Sequence, residues 1–325
     1  MRQTFFIVGP TATGKSELAA NVAGEIGAEI VSADAFQIYR GLDLLTAKPD
    51  ASTLAKAPHH LIGTASLNEE MNAEKYRFAA MRAIDEINSR GKLAMVVGGS
   101  GLYIRALTHG LAPLPEADPK LREQLNAMTL DELRSRLAEL DAEAGRTIDT
   151  KNRRRVVRAL EICLLSGKPA SAQRLRWARD AGNLACVPTT GLVARPSQTG
   201  LSASPAAGVF VFRDREELYE RINQRVEAMF EHGVIEEVRA IEATGATASQ
   251  MIGLREIRKL LAGKISLLQC IAEIQQATRR YAKRQLTWFR RQTSFLPLNL
   301  SLLSYNEARI LLRRRLERQR ISRFA

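Results

Sequence analysis

The residues with the clearest chemistry are those at positions 9–16, which read GPTATGKS and fit the pattern G-x-x-x-x-G-K-[ST]. In this pattern backbone N–H groups surround a phosphate, the lysine reaches its terminal oxygens and the hydroxyl holds Mg²⁺. We therefore predict a phosphate or diphosphate site with Ser16 as the Mg²⁺ ligand. Its residues are Gly9, Pro10, Thr11, Ala12, Thr13, Gly14, Lys15 and Ser16.

The carboxylate that would position Mg²⁺ for nucleotide hydrolysis is missing from its usual place. NTPases with this loop usually end a later strand in Asp, but the apolar run LAMVV at 93–97 is followed by Gly98, Gly99 and Ser100. The nearest carboxylate at a strand end is Asp34, in VSADAFQIYRG. Asp34 could be a base, a substrate anchor or an indirect metal contact, and a simple turn residue is the alternative.

The elements that must position these residues follow an alternating pattern. Short β-branched runs alternate with helical periodicity, which predicts an α/β fold whose parallel P-loop sheet is covered by helices. We expect strands over 4–8, 28–33, 59–63 and 93–99, and helices over 15–27 and 74–90.

Four segments organise the chain. Residues 1–112 are predicted as the first part of the P-loop core. Residues 113–185 form an inserted all-helical lobe of three or four helices, broken at Gly145 and at 166–169. Residues 186–207 are rich in Pro, Gly, Ser and Thr and read as a flexible linker. Residues 208–325 return to the core with a strand at 208–212, a basic and mostly helical region, and a possible last strand at 294–299.

Positive charge is concentrated in two parts of the chain. Of a formal net charge of +13, residues 276–325 carry 13 Lys and Arg against 2 Asp and Glu, and residues 150–180 carry 9 against 2. The remainder is therefore net acidic. A localised basic footprint predicts a polyanionic partner, most often nucleic acid. A solvated basic helical surface is the alternative.

Each basic part contains a helical stretch. NRRRVVRALE at 152–161 predicts a helix whose arginines contact phosphates or bases. TRRYAKRQLTWFRRQ at 278–292 interleaves Lys and Arg with Tyr281, Trp288 and Phe289, which suits a nucleic-acid surface, although the aromatic residues could equally be core. The last stretch, 309–324, is amphipathic, and we expect it to dock on the body with its basic side toward RNA. Its apolar members are Ile310, Leu311, Leu312, Leu316 and Ile321.

Several classes of function are excluded at this level. No apolar run is long enough for a membrane helix and no secretory leader is evident, so we expect a cytoplasmic protein without membrane contact. Cys163, Cys186 and Cys270 lie far apart and predict neither a zinc site nor a disulfide framework. The four histidines have no metal-ligand spacing and are expected to be structural or exposed.

The ordered motifs resemble the tRNA dimethylallyltransferase family, the isopentenyl transferases of adenosine 37 beside the anticodon. The loop alone is unspecific, but the ordered set over residues 4–292 is specific. No zinc-finger extension of the eukaryotic kind follows residue 292, so a bacterial-type member is expected. The matching stretches are GPTATGKS (9–16), SADAFQIYRGLDLLTAKP (32–49), VVGGSGLY (96–103), PLPEADP (113–119), RRVVRALE (154–161), LYERINQRV (218–226), IGLRE (252–256) and YAKRQLTWFR (281–290).

The resemblance implies a reaction and a role for each residue. A dimethylallyl group would pass from dimethylallyl diphosphate to N6 of adenosine 37, with diphosphate as the leaving group. Asp34 would be the general base, and Thr11, Lys15 and Arg225 would act at the reacting diphosphate with Mg²⁺ on Ser16. A monomer that grips the tRNA anticodon stem-loop is implied. The tRNA contacts would be Asp34, Ala35, Phe36, Gln37, Ser100, Arg122, Arg154, Arg155, Val156, Val157, Arg158, Gln250, Met251, Ile252, Gly253, Leu254 and Arg255.

This sequence departs from the family pattern at three positions: Ala35 replaces a common Ser, Leu45 replaces a Gly, and Leu254 replaces a common Tyr. Two other functions also stay open from the sequence. A small-molecule kinase that binds ATP would share the loop, an Asp after the second strand and a Gly-rich turn. An RNA-binding protein without catalysis would share the basic segments.

Overall fold

A computed structural model describes residues 3–112, 114–173, 207–292 and 295–321, and these contain one six-stranded, fully parallel sheet. The strands lie in the order β3-β2-β4-β1-β5-β6, so the first strand of the chain is near the centre. The predicted α/β class with a parallel sheet covered by helices is confirmed. The strands are β1 (Thr4–Val8), β2 (Glu29–Ala33), β3 (His59–His60), β4 (Ala94–Gly98), β5 (Gly208–Phe212) and β6 (Leu296–Asn299).

The chain divides into two compact units, Met1–Thr108 with Pro205–Ala325, and His109–Ser204. The first unit contains the sheet and the helices α1 (Lys15–Ile26), α2 (Ala51–Leu54), α3 (Ala73–Ser89), α4 (Gly101–His109), α9 (Arg215–Glu231), α10 (Val234–Arg239), α11 (Leu254–Leu261), α12 (Leu267–Arg290) and α13 (Tyr305–Ile321). The second unit contains α5 (Pro119–Ala127), α6 (Leu130–Leu140), α7 (Ala142–Thr147) and α8 (Arg153–Ser166).

The sheet core explains where its helices pack. β1, β2 and β4 consist almost entirely of buried residues, as expected for parallel strands covered on both faces. Leu18, Ala19 and Val22 of α1 share one apolar cluster with Leu312 and Leu316 of α13. The last helix thus docks on the body through these two leucines, while Ile310 and Leu311 are exposed, contrary to the prediction that they belong to the apolar face.

The helical unit has its own apolar core and a buried ion cluster. Leu125, Leu133 and Leu160 are among its fully buried residues. Glu161 is 0% exposed, and Arg122 donates to both of its carboxylate oxygens at 2.6 and 2.7 Å. The predicted helix break at Gly145 is wrong, because α7 runs through it and the chain breaks instead at Asp141, which caps α7.

The parallel arrangement gathers one end of several strands at the same edge of the sheet. β1 pairs with β4 and with β5, in register Val8–Gly98 and Val8–Phe210. The residues that follow β1, β2, β4 and β5 therefore converge there, which is where open parallel sheets bind ligands. These residues are 9–16, 34–37, 99–100 and 213.

The sequence-based expectations for membrane helices, histidines, cysteines and the linker can be compared with the described residues. No helix in the described part of the chain is both long and apolar enough to cross a membrane. His60 lies 2.8 Å from the Glu29 carboxylate, and His59 hydrogen-bonds to the Ala57 carbonyl at 2.7 Å, so both are structural. Cys163 and Cys270 are buried free thiols. Cys186 and residues 186–206 of the expected linker lie outside the described residues.

Candidate active site

The phosphate loop lies between β1 and α1 and has a tightly constrained backbone. Ala12 and Gly14 adopt left-handed conformations, with φ of 64° and 89°. A Cβ on Gly9 would lie 2.0 Å from the Val211 carbonyl oxygen, so only glycine allows β5 to approach this closely. α1 begins at Lys15, directly after the loop, so its N-terminal N–H groups and its dipole favour an anion at this point.

Side-chain donors occupy the carbonyl groups of the loop. Lys15 Nζ and Thr13 Oγ1 both donate to Pro10 O at 3.1 Å. Arg221 Nε donates to Ala12 O and Arg213 Nε to Thr13 O, each at 2.9 Å. Because these donors neutralise the negative ends of the peptide dipoles, the loop presents a net positive environment.

Arg225 extends the positive environment to Thr11. Its Nη1 donates to Thr11 Oγ1 at 2.9 Å. Its Nε is buried and has no hydrogen-bond partner among the described residues. A buried guanidinium with unused donors is costly unless an anion binds it. The arrangement therefore fits a diphosphate beside Thr11.

Burial lowers the pKa of both cations at the loop. Burial lowers the pKa of Lys15 to about 8, an effect that the Asp34 carboxylate opposes and Arg225 reinforces. Burial also lowers the pKa of Arg225 to about 10, again opposed by Asp34. Asp34 is thus close to both cations, as the position after β2 predicts.

Asp34 is held by the turn that follows β2. Its Oδ1 accepts from the N–H groups of Phe36 at 2.9 Å and of Gln37 at 3.3 Å. The next amide, Ala35 N, donates to Ser100 Oγ at 2.9 Å, which ties this turn to the one after β4. Asp34 is therefore a turn residue, which was one of the alternatives from the sequence. It can also act on a ligand at this edge of the sheet, because only one of its carboxylate oxygens accepts the hydrogen bonds of the turn.

Three buried tyrosines lie close enough to Asp34 for its charge to affect their pKa values. Burial raises the pKa of Tyr76, Tyr103 and Tyr281, and the negative charge of Asp34 raises each further. The rings of Tyr76 and Tyr103 stack with centroids 3.9 Å apart. These three phenols therefore stay neutral throughout the physiological pH range.

A cleft opens beside Thr11, Asp34 and Arg225. Apart from these polar groups its lining is mainly apolar, with contributions from α9, α10, α11 and α12. A larger and more polar cleft, which also includes Lys15, Ser16 and Arg221, shares Thr11, Asp34 and Arg225 with it. The apolar lining consists of Leu45, Val226, Met229, Phe230, Val234, Met251, Ile252, Ile257 and Ile274.

The donors present fit a Mg²⁺ ion that binds together with a phosphate ligand. Among the described residues no three His, Cys, Asp or Glu side chains are grouped so that they could hold a metal on their own. Mg²⁺ usually takes one or two protein oxygens and completes its shell with phosphate oxygens and water. Ser16, in the first turn of α1 and at the wall of the polar cleft, supplies one such oxygen.

The residues expected to contact tRNA fall into two groups in the sheet-containing unit. Asp34, Ala35, Phe36, Gln37 and Ser100 gather at the turns after β2 and β4. Farther along the chain, Gln250 and Arg255 are exposed, and Ile252 lines the apolar cleft. Met251, Gly253 and Leu254 are buried, and their role as tRNA contacts stays a prediction.

In the helical unit, only part of the predicted basic helix presents its side chains to solvent. Arg154 and Arg155 are exposed on α8. Val156 and Val157 are core residues, because helical periodicity turns them inward, and their prediction as tRNA contacts is corrected. Arg122 and Arg158 are committed to the buried Glu161, with Nη1 of Arg158 3.2 Å from it.

α12 resolves the alternatives for its aromatic residues. Phe289 is 1% exposed and packs on Phe210 of β5. Trp288 covers Gly101, where a Cβ would lie 2.7 Å from the indole ring. These two rings are therefore packing residues, while Arg280, Lys283 and Arg284 are exposed on the same helix.

Sequence reasoning missed three residues at the loop, namely Arg213, Arg221 and Gln285. Gln285 Oε1 accepts from Thr11 N at 3.0 Å. Arg221 and Gln285 lie inside the stretches LYERINQRV and YAKRQLTWFR, so a signal was present, but no spacing rule assigns them to a loop some 200 residues away. Arg213 follows a strand end, which is the one local signal for it.

The departures from the expected family pattern are accommodated by packing. Leu45 is 7% exposed and lines the apolar cleft, and its Cδ1 lies 2.7 Å from where a Cβ on Gly253 would be. Leu254 is 1% exposed at the start of α11. Ala35 contributes through its backbone amide, which does not depend on the side chain.

The fold and the site define a P-loop α/β protein whose cationic loop adjoins an apolar cleft with a carboxylate at the junction. The IPP transferase family model matches residues 37–292. The chain is 43% identical to tRNA dimethylallyltransferase 1 of Citrifermentans bemidjiense, over 86% of this chain and 87% of that protein. It is 39% identical to tRNA dimethylallyltransferase of Akkermansia muciniphila, covering 89% and 90% of the two chains.

Solved structures agree with this similarity. The full-length tRNA isopentenylpyrophosphate transferase of Bacillus halodurans aligns with a TM-score of 0.67 and 30% identity, covering 100% of both chains. A eukaryotic dimethylallyltransferase acting on tRNA aligns with a TM-score of 0.70 at 24% identity, over 91% of this chain and 74% of that one, and supports the fold. The chain belongs to the IPP transferase family and is a transferase.

Proposed function

We propose that this chain transfers a dimethylallyl group from dimethylallyl diphosphate to N6 of adenosine 37 in tRNA, beside the anticodon. The observation that carries the proposal is the buried Nε of Arg225, a donor without a partner among the described residues, on a side chain that contacts Thr11 of the phosphate loop and lines the apolar cleft. A diphosphate with a short hydrocarbon tail matches both halves of this environment. The curated relatives carry the same activity in their names.

In this reaction one bond forms and one bond breaks at the allylic carbon. The N6 nitrogen bonds to C1 of the dimethylallyl group as the C1–O bond breaks, and the electron pair leaves on the diphosphate. Lys15, Arg225 and the loop amides stabilise that negative charge. Mg²⁺ held by Ser16 would add further neutralisation of the diphosphate when bound.

Asp34 is the base in this proposal. An exocyclic amine conjugated to a purine is a weak nucleophile, so proton removal during bond formation lowers the barrier. One oxygen of Asp34 is fixed by the turn amides, which leaves the other to accept the N6 proton. Because adenosine 37 must leave the anticodon-loop stack to reach this carboxylate, base extrusion is part of the proposal.

The tRNA would be held by backbone contacts from exposed basic residues. Arg154 and Arg155 on α8, and Arg280, Lys283 and Arg284 on α12, are suited to phosphates. The exposure of Arg154 and Arg155 supports a role for the helical unit in gripping the anticodon stem. We further propose that the protein is a cytoplasmic monomer, which size-exclusion chromatography with light scattering would test.

The test combines the assay with Asp34→Asn. The protein is mixed with unmodified tRNA, Mg²⁺ and dimethylallyl diphosphate, and the digested nucleosides are analysed by mass spectrometry. An asparagine can still accept from Phe36 N and Gln37 N, so the turn is retained while the base is lost. We expect kcat to fall about 100- to 10,000-fold with nearly unchanged diphosphate affinity.

Two controls separate this function from its alternatives. Asp131→Asn, an exposed carboxylate on α6, should leave the rate unchanged. ATP in place of the diphosphate should give no modified adenosine. Phosphorylation of a small molecule would instead favour a kinase, and tRNA binding without any covalent product would favour a non-catalytic RNA-binding protein.

A further inference from the structure

Gln285 occupies a position between the two loops that build the site. It lies on α12 and is 6% exposed. Its Oε1 accepts from Thr11 N at 3.0 Å, and its Nε2 donates to Gly99 O at 2.9 Å. One amide side chain therefore connects the phosphate loop after β1 to the turn after β4.

The fit around this amide is close on the Gly99 side. A Cβ on Gly99 would lie 2.3 Å from Gln285 Nε2 and 2.8 Å from Gly9 O. Only glycine at position 99 therefore leaves room for the Gln285 amide. Both of its polar ends are used, as a buried amide requires.

Thr11 is fixed from two directions by these contacts. Its N–H is taken by Gln285, while its hydroxyl oxygen accepts from Arg225 Nη1 at 2.9 Å. A hydroxyl that accepts from a guanidinium retains its own proton for donation. Thr11 lines both the apolar and the polar cleft, so this proton lies where the two clefts meet.

We propose that Gln285 is a positioning residue that sets the direction of the Thr11 hydroxyl toward the oxygen joining the allylic carbon to the diphosphate. This inference rests on the proposed prenyl transfer. As the C1–O bond breaks, the electron pair moves to that oxygen, and the hydrogen bond from Thr11 strengthens with the growing charge. Gln285 itself touches neither substrate, so its contribution passes through Thr11.

The first test is Gln285→Met, which keeps the length and apolar volume of the side chain but removes both hydrogen bonds. We expect kcat for tRNA prenylation to fall about 10- to 100-fold, the size of effect that follows a small misplacement of a reacting group. The KM for dimethylallyl diphosphate and the Kd for inorganic pyrophosphate should change less than about 3-fold. Gln276→Met, exposed on the same helix, is the matched control and should behave as the parent.

A double-mutant cycle separates positioning from general destabilisation. Thr11→Val removes the hydroxyl and keeps the shape and the N–H group. If Gln285 acts through that hydroxyl, adding Gln285→Met to Thr11→Val should lower kcat by less than about 3-fold further. Multiplicative effects, or no loss of kcat in Gln285→Met, would overturn the inference.

Gln285→Glu keeps the test decisive if the methionine variant fails to fold. The carboxylate can still accept from Thr11 N but cannot donate to Gly99 O unless protonated, so an intermediate loss of kcat is expected. Failure of both variants to fold would show a purely structural role and overturn the inference. An inactive parent protein would instead refute the proposed function, whereas an active parent with an unaffected Gln285→Met would refute only the role of Gln285.

Discussion

Lys15 should make diphosphate binding depend on pH. Its pKa of about 8 in the ligand-free protein lies below the value of 10.5 for a free lysine, because burial disfavours the charged form. As pH rises through about 8, the lysine loses its proton and its attraction for the diphosphate. We expect the Kd for inorganic pyrophosphate, measured by calorimetry, to rise about tenfold per pH unit above that point.

The control for this prediction is Lys15→Arg, which stays charged over the whole range. Pyrophosphate has its own proton equilibria, and these affect both proteins equally. The ratio of the two Kd values should therefore report Lys15 alone. A constant ratio between about pH 7 and 9 would contradict the assigned pKa.

Among single residues, the sequence predicts those site residues whose position follows from their immediate neighbours in the chain. Residues 9–16 and Asp34 could be assigned because each directly follows an apolar strand. Arg213, Arg221 and Gln285 could not, since their role depends on contacts across roughly 200 or more residues. The spacing of arginines along a helix predicts which face of the helix is charged. It does not predict that Arg122 forms an ion pair with the buried Glu161, because that contact depends on tertiary packing.

Helix α10 makes hydrogen bonds to the loop at residues 42–47, which lines one side of the apolar cleft. Glu237 accepts from the backbone N–H groups of Leu44 and Leu45, both at 2.9 Å. That loop includes Leu42 and Ala47, two non-glycine residues with positive φ of 54° and 50°. This strained backbone contributes Leu45, Thr46 and Ala47 to the lining of the cleft. The shape of the cleft therefore depends on the two hydrogen bonds that the loop makes to Glu237.

We expect Glu237→Gln to loosen this loop. The amide offers one acceptor oxygen, and its NH₂ group would face a backbone N–H. The KM for dimethylallyl diphosphate should therefore rise about 5- to 30-fold, given a lost interaction of roughly 1–2 kcal/mol. Steady-state kinetics on tRNA measure this effect.

The neighbouring Glu236→Gln is the matched control, because its carboxylate is exposed and contacts only Arg239 among the described residues. A similar rise in KM for both variants would indicate a general charge effect and not the loss of the hydrogen bonds between Glu237 and the loop.

Strands and helices were predicted well where the local sequence pattern determines them. They were predicted less well where contacts with other parts of the chain determine where they begin and end. Every strand was expected within a few residues of its observed bounds, and β1, β2, β4 and β5 were predictable because they are buried, mainly apolar runs. The helix through Gly145 was missed because a glycine in a short helix costs only about 1 kcal/mol, which the capping carboxylate of Asp141 offsets.

For the molecule as a whole, the two basic parts of the chain should set the salt dependence of tRNA binding. Arg155 on α8 and Lys283 on α12 are exposed, one in each part. Replacing either with Gln should weaken tRNA binding and reduce the slope of log K against log salt by about 1. Fluorescence titrations with labelled tRNA at several salt concentrations measure both quantities.

Arg82→Gln is the control for this prediction, because Arg82 is an exposed arginine of α3 outside both basic parts. Its slope should equal that of the parent. An unchanged slope in both Arg155→Gln and Lys283→Gln would mean that neither residue contacts the phosphate backbone.

The central position of β1 has a consequence for how the protein is made. β1 pairs with β4 within the first hundred residues, but its other edge is completed only by β5, roughly 200 residues later. At a synthesis rate of about 5–20 residues per second, a nascent chain would carry that edge without its native partner for about 10–40 s. Its Phe6, Ile7 and Val8 would be open to mispairing during this time. Arg213, Arg225 and Gln285, which contact the phosphate loop, also emerge only after β5 begins, so the surroundings of the loop are completed late in synthesis.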